Sequence, residues 1–329
     1  MTTKIMPMSS TVSPEFAAFF GHDTERWKPH ISSLNPRDFF RSMLQPVIRG
    51  PRARDWSVKE YEHFYEVTHE RSKIGGISCF KLYPGKLRSE DALILYVHGG
   101  GFVLGTGIDG IPGGICAAGA CGLNTVCVDY RLAPEHVYPA ALQDCLQIYQ
   151  ALLKIHDASK IVLYGTSSGA ALCLSLGLYC RDHGIALPGL ILAGSPWADL
   201  TKTGDSYYTH AFVDNEVVDY SGWLSSAALA YAGDHDLKDP YISPVYGDFT
   251  GFCPVVLFSG TRDLFLSCSA RLQAKLLQAH VPNNLVLYEG QSHAQYSSNP
   301  DIPEHGVHCA NLAIYVDRYL GLNGTPAEQ

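Results

Sequence analysis

Residues 160–170 read KIVLYGTSSGA: an apolar run, a tight turn holding two serines, and the start of a helix. The run KIVLYG is short and continuously apolar, as in a strand buried on both faces of a sheet. The stretch SGAALCLSLGLYC, from Ser168, continues as a helix. The turn between them, G-T-S-S-G, matches G-x-S-x-G, a pattern that carries weight only in a strand–turn–helix setting. That setting is present here. Ser167 is the middle residue and takes the strained corner. Gly165 and Gly169 flank it because side chains there would crowd the turn and the neighbouring strand. The helix N-terminus behind the corner favours developing negative charge. The plainer alternative is that both serines only cap the helix, a position where serine is favoured.

Outward from this stretch, strand-like and helical runs alternate. Strands are expected at 63–70, 77–84, 92–99, 124–130, 160–166, 189–195, 254–260 and 284–290, and helices at 112–121, 139–155, 168–183, 267–280 and 305–321. The first two strands, separated by RSKIGG, read as an antiparallel hairpin. The alternation predicts an α/β chain with a mostly parallel, eight-stranded sheet and helices on both faces, its sites gathered at the C-terminal strand ends. The organisation expected is an N-terminal helical part (1–60), a core (61–196), an aromatic-rich insertion with one helix near 219–231 that reads as a lid (197–238), and the rest of the core (239–329).

Composition narrows the function classes. The 329 residues are 46% hydrophobic and 17% charged, an ordinary globular balance. The net charge of -8 without a basic run argues against nucleic acid as a partner. No stretch reaches the roughly 18 apolar residues of a membrane span, and the first residues lack the apolar region of a secretion signal. A cytoplasmic location is therefore expected. The ten cysteines are scattered, without a CxxC pair, and read as reduced core residues rather than metal ligands. No metal or cofactor is expected.

Three further stretches supply chemistry. YVHGGGF (96–102) follows the strand ALILYV, and its glycines can leave N–H groups converging on an anion. The donors expected are the N–H groups of Gly100, Gly101 and Ser168. His98 and Phe102 anchor the run. An activated serine also needs a base and an orienting carboxylate. Among 14 histidines, His293 follows the last core strand, and Asp263 follows the strand before it. The order Ser167, Asp263, His293 is the chain order of a nucleophile-elbow hydrolase. Asp239 is the next carboxylate to test for the acid role. Arg131 and Glu135, in DYRLAPE, are suited to an ion pair holding the turn after their strand.

With these motifs on view, the chain resembles the hormone-sensitive lipase family of α/β-hydrolases, the bacterial family IV esterases. The matching stretches are HGGGF (98–102), VDYRLAPEHVYPAALQDC (128–145), GTSSGA (165–170), SPWADLT (195–201), DPYISP (239–244), GTRDLFLS (260–267) and GQSHAQY (290–296). They span roughly residues 65–321 in family order. The last two, with SPWADLTKTGDSY, are similar to a branch described as ε-lactone hydrolases. The elbow departs from the usual G-D-S-A-G-G at Thr166, Ser168 and Ala170. None of these changes removes the nucleophile or a backbone donor, but Thr166 removes a charge beside it.

The resemblance implies the α/β-hydrolase fold with a small helical cap. It also implies cofactor-free hydrolysis of short- to medium-chain esters or lactones by a Ser-His-Asp triad through an acyl-enzyme. Relatives often pair through the sheet edge, so a homodimer is one assembly it admits. Phe19, Phe20, Phe39, Phe40 and Met43 are candidates to line the substrate pocket, with the cap–core interface as their competing role, and Phe102 and Trp197 are further pocket candidates. Two other readings stand beside it: an amidase or peptidase on the same fold, and a non-catalytic small-molecule receptor. Plant gibberellin receptors resemble the family but lack the catalytic histidine.

Overall fold

In the computed structural model, which describes residues 56–322, the first helix is set by a capping box. The Ser57 hydroxyl accepts from the Glu60 N–H, and the Glu60 carboxylate accepts from the Ser57 N–H. Helix α1 (Val58–Tyr65) follows and stops at Glu66, which turns into the left-handed region at φ 52°. The strand expected at 63–70 therefore begins only at Val67. The apolar and polar residues of HFYEV alternate like a strand, but Tyr61 and Tyr65, four apart, share a helix face. Phe19, Phe20, Phe39, Phe40 and Met43 lie outside the described residues.

The chain then runs β1 (Val67–Ile74), β2 (Ile77–Pro84), β3 (Ser89–Val97), α2 (Pro112–Cys121), β4 (Leu123–Val128), α3 (Ala140–Leu152), β5 (Ile161–Thr166), α4 (Ser168–Asp182), β6 (Leu190–Gly194), α5 (Ser225–Ala232), β7 (Val255–Gly260), α6 (Leu266–Gln278), β8 (Asn283–Tyr288) and α7 (Pro303–Leu320). The eight strands form one sheet in the order β1-β2-β4-β3-β5-β6-β7-β8. The β1–β2 hairpin and the β2–β4 pairing are antiparallel, and every other pairing is parallel. This is the α/β-hydrolase fold. The continuous apolar runs have a simple cause. In β3, Leu93, Leu95 and Val97 face a core shared with Ile148, Leu172 and Leu272, of α3, α4 and α6. Ala92, Ile94 and Tyr96 face the opposite core, with Ile115 of α2 and Val316 of α7. Both faces are covered, so both sets of alternating side chains are apolar. Nine of the ten cysteines are buried and all ten carry free thiols.

One ion pair differs from the sequence reading. Arg131 directs its guanidinium fork onto Asp144 of α3, at 2.8–3.0 Å, rather than onto Glu135. The Arg131 N–H also donates to Asp144 (2.9 Å). The stretch 131–144 closes back on itself because a carboxylate on the helix 13 residues further along the chain reaches both groups, which residue spacing does not reveal.

The elbow sits where α4 meets the ends of β3 and β5, and glycine is required there for room. A Cβ on Gly169 would lie 2.1 Å from the Val97 carbonyl oxygen, and one on Gly165 would lie 2.4 Å from the Gly169 carbonyl carbon. Both neighbours are backbone and cannot rotate away. Gly169→Ala must push α4 off the sheet and should lower stability by about 3 kcal/mol or more, at the upper end of overpacking effects. Thermal denaturation checks this, with Gly306→Ala as a control, since a Cβ on Gly306 meets nothing within 4 Å.

Candidate active site

Ser167 occupies the corner between β5 and α4 with φ 60° and ψ -122°, a strained conformation for a residue with a Cβ. The corner is held from both sides. The Ser167 N–H donates to the Gly194 carbonyl (2.8 Å), and the Ser167 carbonyl accepts from the Trp197 N–H (3.2 Å). The capping alternative does not describe Ser167, whose side chain makes no cap hydrogen bond to α4. Ser168 is fully buried at the first position of the helix, so its N–H is one of the helix's unsatisfied donors.

The glycine loop folds over this corner. Gly100, Gly101 and Phe102 all have positive φ (108°, 62° and 67°), and the Gly100 carbonyl accepts from the N–H groups of Val103 and Leu104. A Cβ on Gly99 would already touch the Ser167 Cβ at 3.3 Å, and one on Gly101 would meet the ring of Trp223 at 2.7 Å. Among the described residues, the N–H groups of Gly100, Gly101 and Ser168 have no protein acceptor. His98 braces the loop from below. Its ring stacks on Tyr130 at 4.1 Å, and its Nδ1–H donates to the Gly99 carbonyl (2.7 Å). Burial pulls its pKa down to about 4, so the ring stays neutral at physiological pH.

Asp263 and His293 come together on the loops after β7 and β8, neighbouring parallel strands whose C-terminal ends lie side by side. His293 Nδ1 is 3.1 Å from Asp263 Oδ1. A carboxylate only accepts, so the proton sits on Nδ1 and Nε2 is left as a base. Asp263 is 0% exposed and accepts from the Phe265 N–H (2.9 Å) and the Ser259 hydroxyl (3.0 Å). Burial pushes its carboxyl up, but the charge and hydrogen bond of His293, with the Ser195 hydroxyl and the Phe265 N–H, outweigh that and hold it below the ordinary carboxylate range. For His293 burial pulls the other way. The charge and hydrogen bond of Asp263, with the charges of Asp214 and Glu216, win and hold the imidazole above its ordinary value.

Two expected pocket residues are packing residues in this structure. Trp197 is 0% exposed and Phe102 is 1% exposed, so neither offers surface to a ligand. They form a relay of rings beneath the site instead. Phe102 stacks on Tyr231 (3.8 Å) and leans on Trp197 (5.8 Å), Trp197 stacks on Phe265 (5.5 Å), and Phe265 meets the His293 ring edge-on (4.8 Å). Asp239, the fallback acid, caps a turn by accepting from the Tyr241 N–H (2.8 Å). The second carboxylate beside the imidazole is Asp214, in the insertion, and residue spacing gave no sign of it. The local signal, an Asp two residues before Glu216 in FVDNEV, reads only as an Asx turn.

The comparisons with known proteins agree with the fold. Residues 94–297 match the model of a family described as having the alpha/beta hydrolase fold. The chain is 32% identical over 234 residues to an esterase of Acinetobacter venetianus, covering 69% of this chain and 75% of that one. It is 29% identical over 227 residues to an acetyl-hydrolase of Streptomyces hygroscopicus, with the same coverage of 69% and 75%. Among solved structures, esterase E25 superposes with a TM-score of 0.87 at 33% identity, covering 97% of this chain and 98% of that one. An esterase from the bacterial hormone-sensitive lipase family superposes with a TM-score of 0.79 at 27% identity, covering 94% and 99%. The chain belongs to the α/β-hydrolase family, in its branch of bacterial hormone-sensitive-lipase esterases and lipases.

Proposed function

We propose that this chain is a carboxylic ester hydrolase acting through an acyl-enzyme on Ser167, with short- to medium-chain esters or lactones as substrates. One observation carries the reading. A serine is held in a strained corner without a capping role, at the C-terminal end of the sheet where a buried imidazole is also oriented by a buried carboxylate. The relatives named as esterases and as an acetyl-hydrolase support the ester class. The lactone branch is supported by the SPWADLTKTGDSY, GTRDLFLS and GQSHAQY stretches, since a lactone is a cyclic ester cleaved by the same steps. The receptor reading has no observation in its favour, because the histidine it would lack is present and paired.

The chemistry follows from the donors and acceptors. His293 Nε2 takes the proton of Ser167 as Oγ attacks the ester carbonyl, and Asp263 stabilises the imidazolium that forms. The carbonyl oxygen becomes negative and is received by the N–H groups of Gly100, Gly101 and Ser168. The C–O bond to the alcohol breaks, His293 returns its proton to the departing oxygen, and the acyl group remains on Oγ. Water then repeats the sequence, its proton passing to Nε2 and back to Ser167, and the acid leaves. The N–H donors are backbone, so they need no reorganisation as charge develops. Trp223, packed on Gly101, narrows the space beside this loop, which supports small acyl groups.

Ser167→Ala should abolish ester hydrolysis apart from a residue due to the N–H donors and binding, whereas Ser168→Ala should keep most activity because only its N–H takes part. Kinetics on p-nitrophenyl esters separate the two, and the opposite pattern would move the nucleophile. On the same assay acetyl to octanoyl esters should be hydrolysed faster than palmitoyl esters. A panel of lactones beside them reads the ring preference.

The pH profile has a definite sign. The base must be neutral, so activity is lost as pH falls through the His293 pKa, and that pKa is raised. The acid limb of kcat/KM should therefore lie above 6.5, the ordinary value for histidine. Asp263→Asn should lower kcat by about 10⁴ while leaving the fold intact. A limb below the ordinary value, or near-normal activity in that variant, would contradict the assignment.

A further inference from the structure

We propose that Asp214 is a positioning residue whose carboxylate clamps the Asp263 loop to the His293 loop and ties both to the inserted segment 197–238. The proposal rests on the ester-hydrolase reading above and adds a member to its site. It starts from one oxygen atom. Asp214 Oδ2 accepts from the Leu264 N–H (2.8 Å) and from the His293 N–H (3.1 Å). The first donor is the residue directly after the acid, and the second is the base itself. A single atom therefore fixes the spacing of the two backbones that carry the pair. The other oxygen, Oδ1, accepts from the N–H groups of Glu216 (2.8 Å) and Val217 (3.1 Å), which anchors the carboxylate to its own segment.

Neighbouring bonds continue the clamp. The Asn215 N–H donates to Ser292 Oγ (3.2 Å), and Gln295 Nε2 donates to Asn215 Oδ1 (2.7 Å). On the acid side the Ser206 hydroxyl donates to the Leu264 carbonyl (2.7 Å), and His210 Nδ1 donates to the Asp263 carbonyl (2.9 Å). The insertion thus grips both loops on which the imidazole–carboxylate geometry depends. A displacement of the order of 1 Å in such geometry costs about 10²-fold in rate.

Asp214 is 0% exposed, and a buried carboxylate is retained only where it is fully bonded. All four of its partners are N–H donors, which leaves no acceptor for a carboxyl proton. The titratable groups facing it are Asp263 and His293 on the two core loops and Glu216 on its own turn. His210 presents its carbonyl to the Asp214 N–H. Burial first, and then the like charge of Asp263, push the Asp214 carboxyl above the ordinary range, while His293 and the N–H donors pull against them. Its negative charge in turn adds to that of Asp263 in raising His293. Asp214 therefore acts on the base twice, through its backbone and through its charge.

Asp214→Asn removes the charge and turns one pair of N–H donors against an amide NH2. With active sites counted by fluorophosphonate labelling, kcat on p-nitrophenyl acetate should fall about tenfold or more with KM within about threefold. The acid limb should move to lower pH, because a negative charge near the imidazole is gone. A lowered melting temperature with wild-type kcat per labelled site and an unmoved limb would reduce Asp214 to a structural residue and overturn the proposal. Wild-type protein gives a second readout if the variant does not fold. The amides of Leu264 and His293 share one acceptor and should be protected from deuterium exchange to a similar degree. A His293 amide exchanging as fast as an open loop would overturn the clamp. Labelling of wild-type protein located at a residue other than Ser167 would instead defeat the triad reading, whatever Asp214 does.

Discussion

The hydrogen bond between Asp263 and His293, 3.1 Å long, joins side chains that are 0% and 8% exposed. A carboxylate taken out of water is strongly destabilised unless donors replace the water. The architecture around this pair supplies them. Strands β7 and β8 run parallel and adjacent, so the loops that leave their C-terminal ends come out side by side. The Ser259 hydroxyl at the end of β7 and the Phe265 N–H beside the start of α6 also donate to Asp263. What is left of the imidazole is one nitrogen with a free lone pair, oriented by the other. The sheet order, the parallel strands and the loop lengths all bear on the site through this one contact.

The serine end of the site is constrained by packing rather than by charge. The corner at Ser167 exists because Gly165 and Gly169 let α4 come within contact of β3 and β5. The glycine loop is stiffened by the neutral His98 ring lying on Tyr130 and by Phe102 lying on Tyr231. Trp197 connects the two ends. Its N–H holds the Ser167 carbonyl, and its ring stacks on Phe265, which touches His293. Buried aromatic contacts of this kind hold spacing well because close-packed interiors transmit displacement rather than absorb it.

Much of this was legible in the sequence, for physical reasons. A strand covered on both faces must be apolar at every position, so β3 to β7 announce themselves as short runs. A strained turn needs flanking glycines, so the elbow is visible as a spacing. A base and acid proposed to work at the C-terminal ends of the strands must follow strands, which is the position that separates His293 from the other histidines among 14. The failures have causes as definite. HFYEVTHE contains both a helix end and a strand start, and eight residues of alternation cannot separate them. Arg131 found Asp144 because α3 folds back beside the turn, a proximity created by tertiary packing. Asp214 was invisible because its nearby partners, the Glu216 and Val217 N–H groups, read as an ordinary turn, and its other two, the N–H groups of Leu264 and His293, lie on loops far away in sequence. Trp197 and Phe102 read as pocket candidates because they adjoin the motifs, but residue type does not tell a ring that faces a ligand from one buried in packing.

The central claim is that Ser167, the backbone donors and His293 converge on one reacting carbon. A crystal structure of the protein reacted with a small alkyl phosphonate ester, whose phosphorus mimics the tetrahedral intermediate, tests it most directly. The account predicts a covalent bond from Ser167 Oγ to phosphorus and His293 Nε2 within hydrogen-bond reach of Oγ or the leaving-group oxygen. It also predicts the phosphoryl oxygen about 2.7–3.1 Å from the N–H groups of Gly100, Gly101 and Ser168. Phosphorus on another residue, or a phosphoryl oxygen turned away from those three N–H groups, would contradict it.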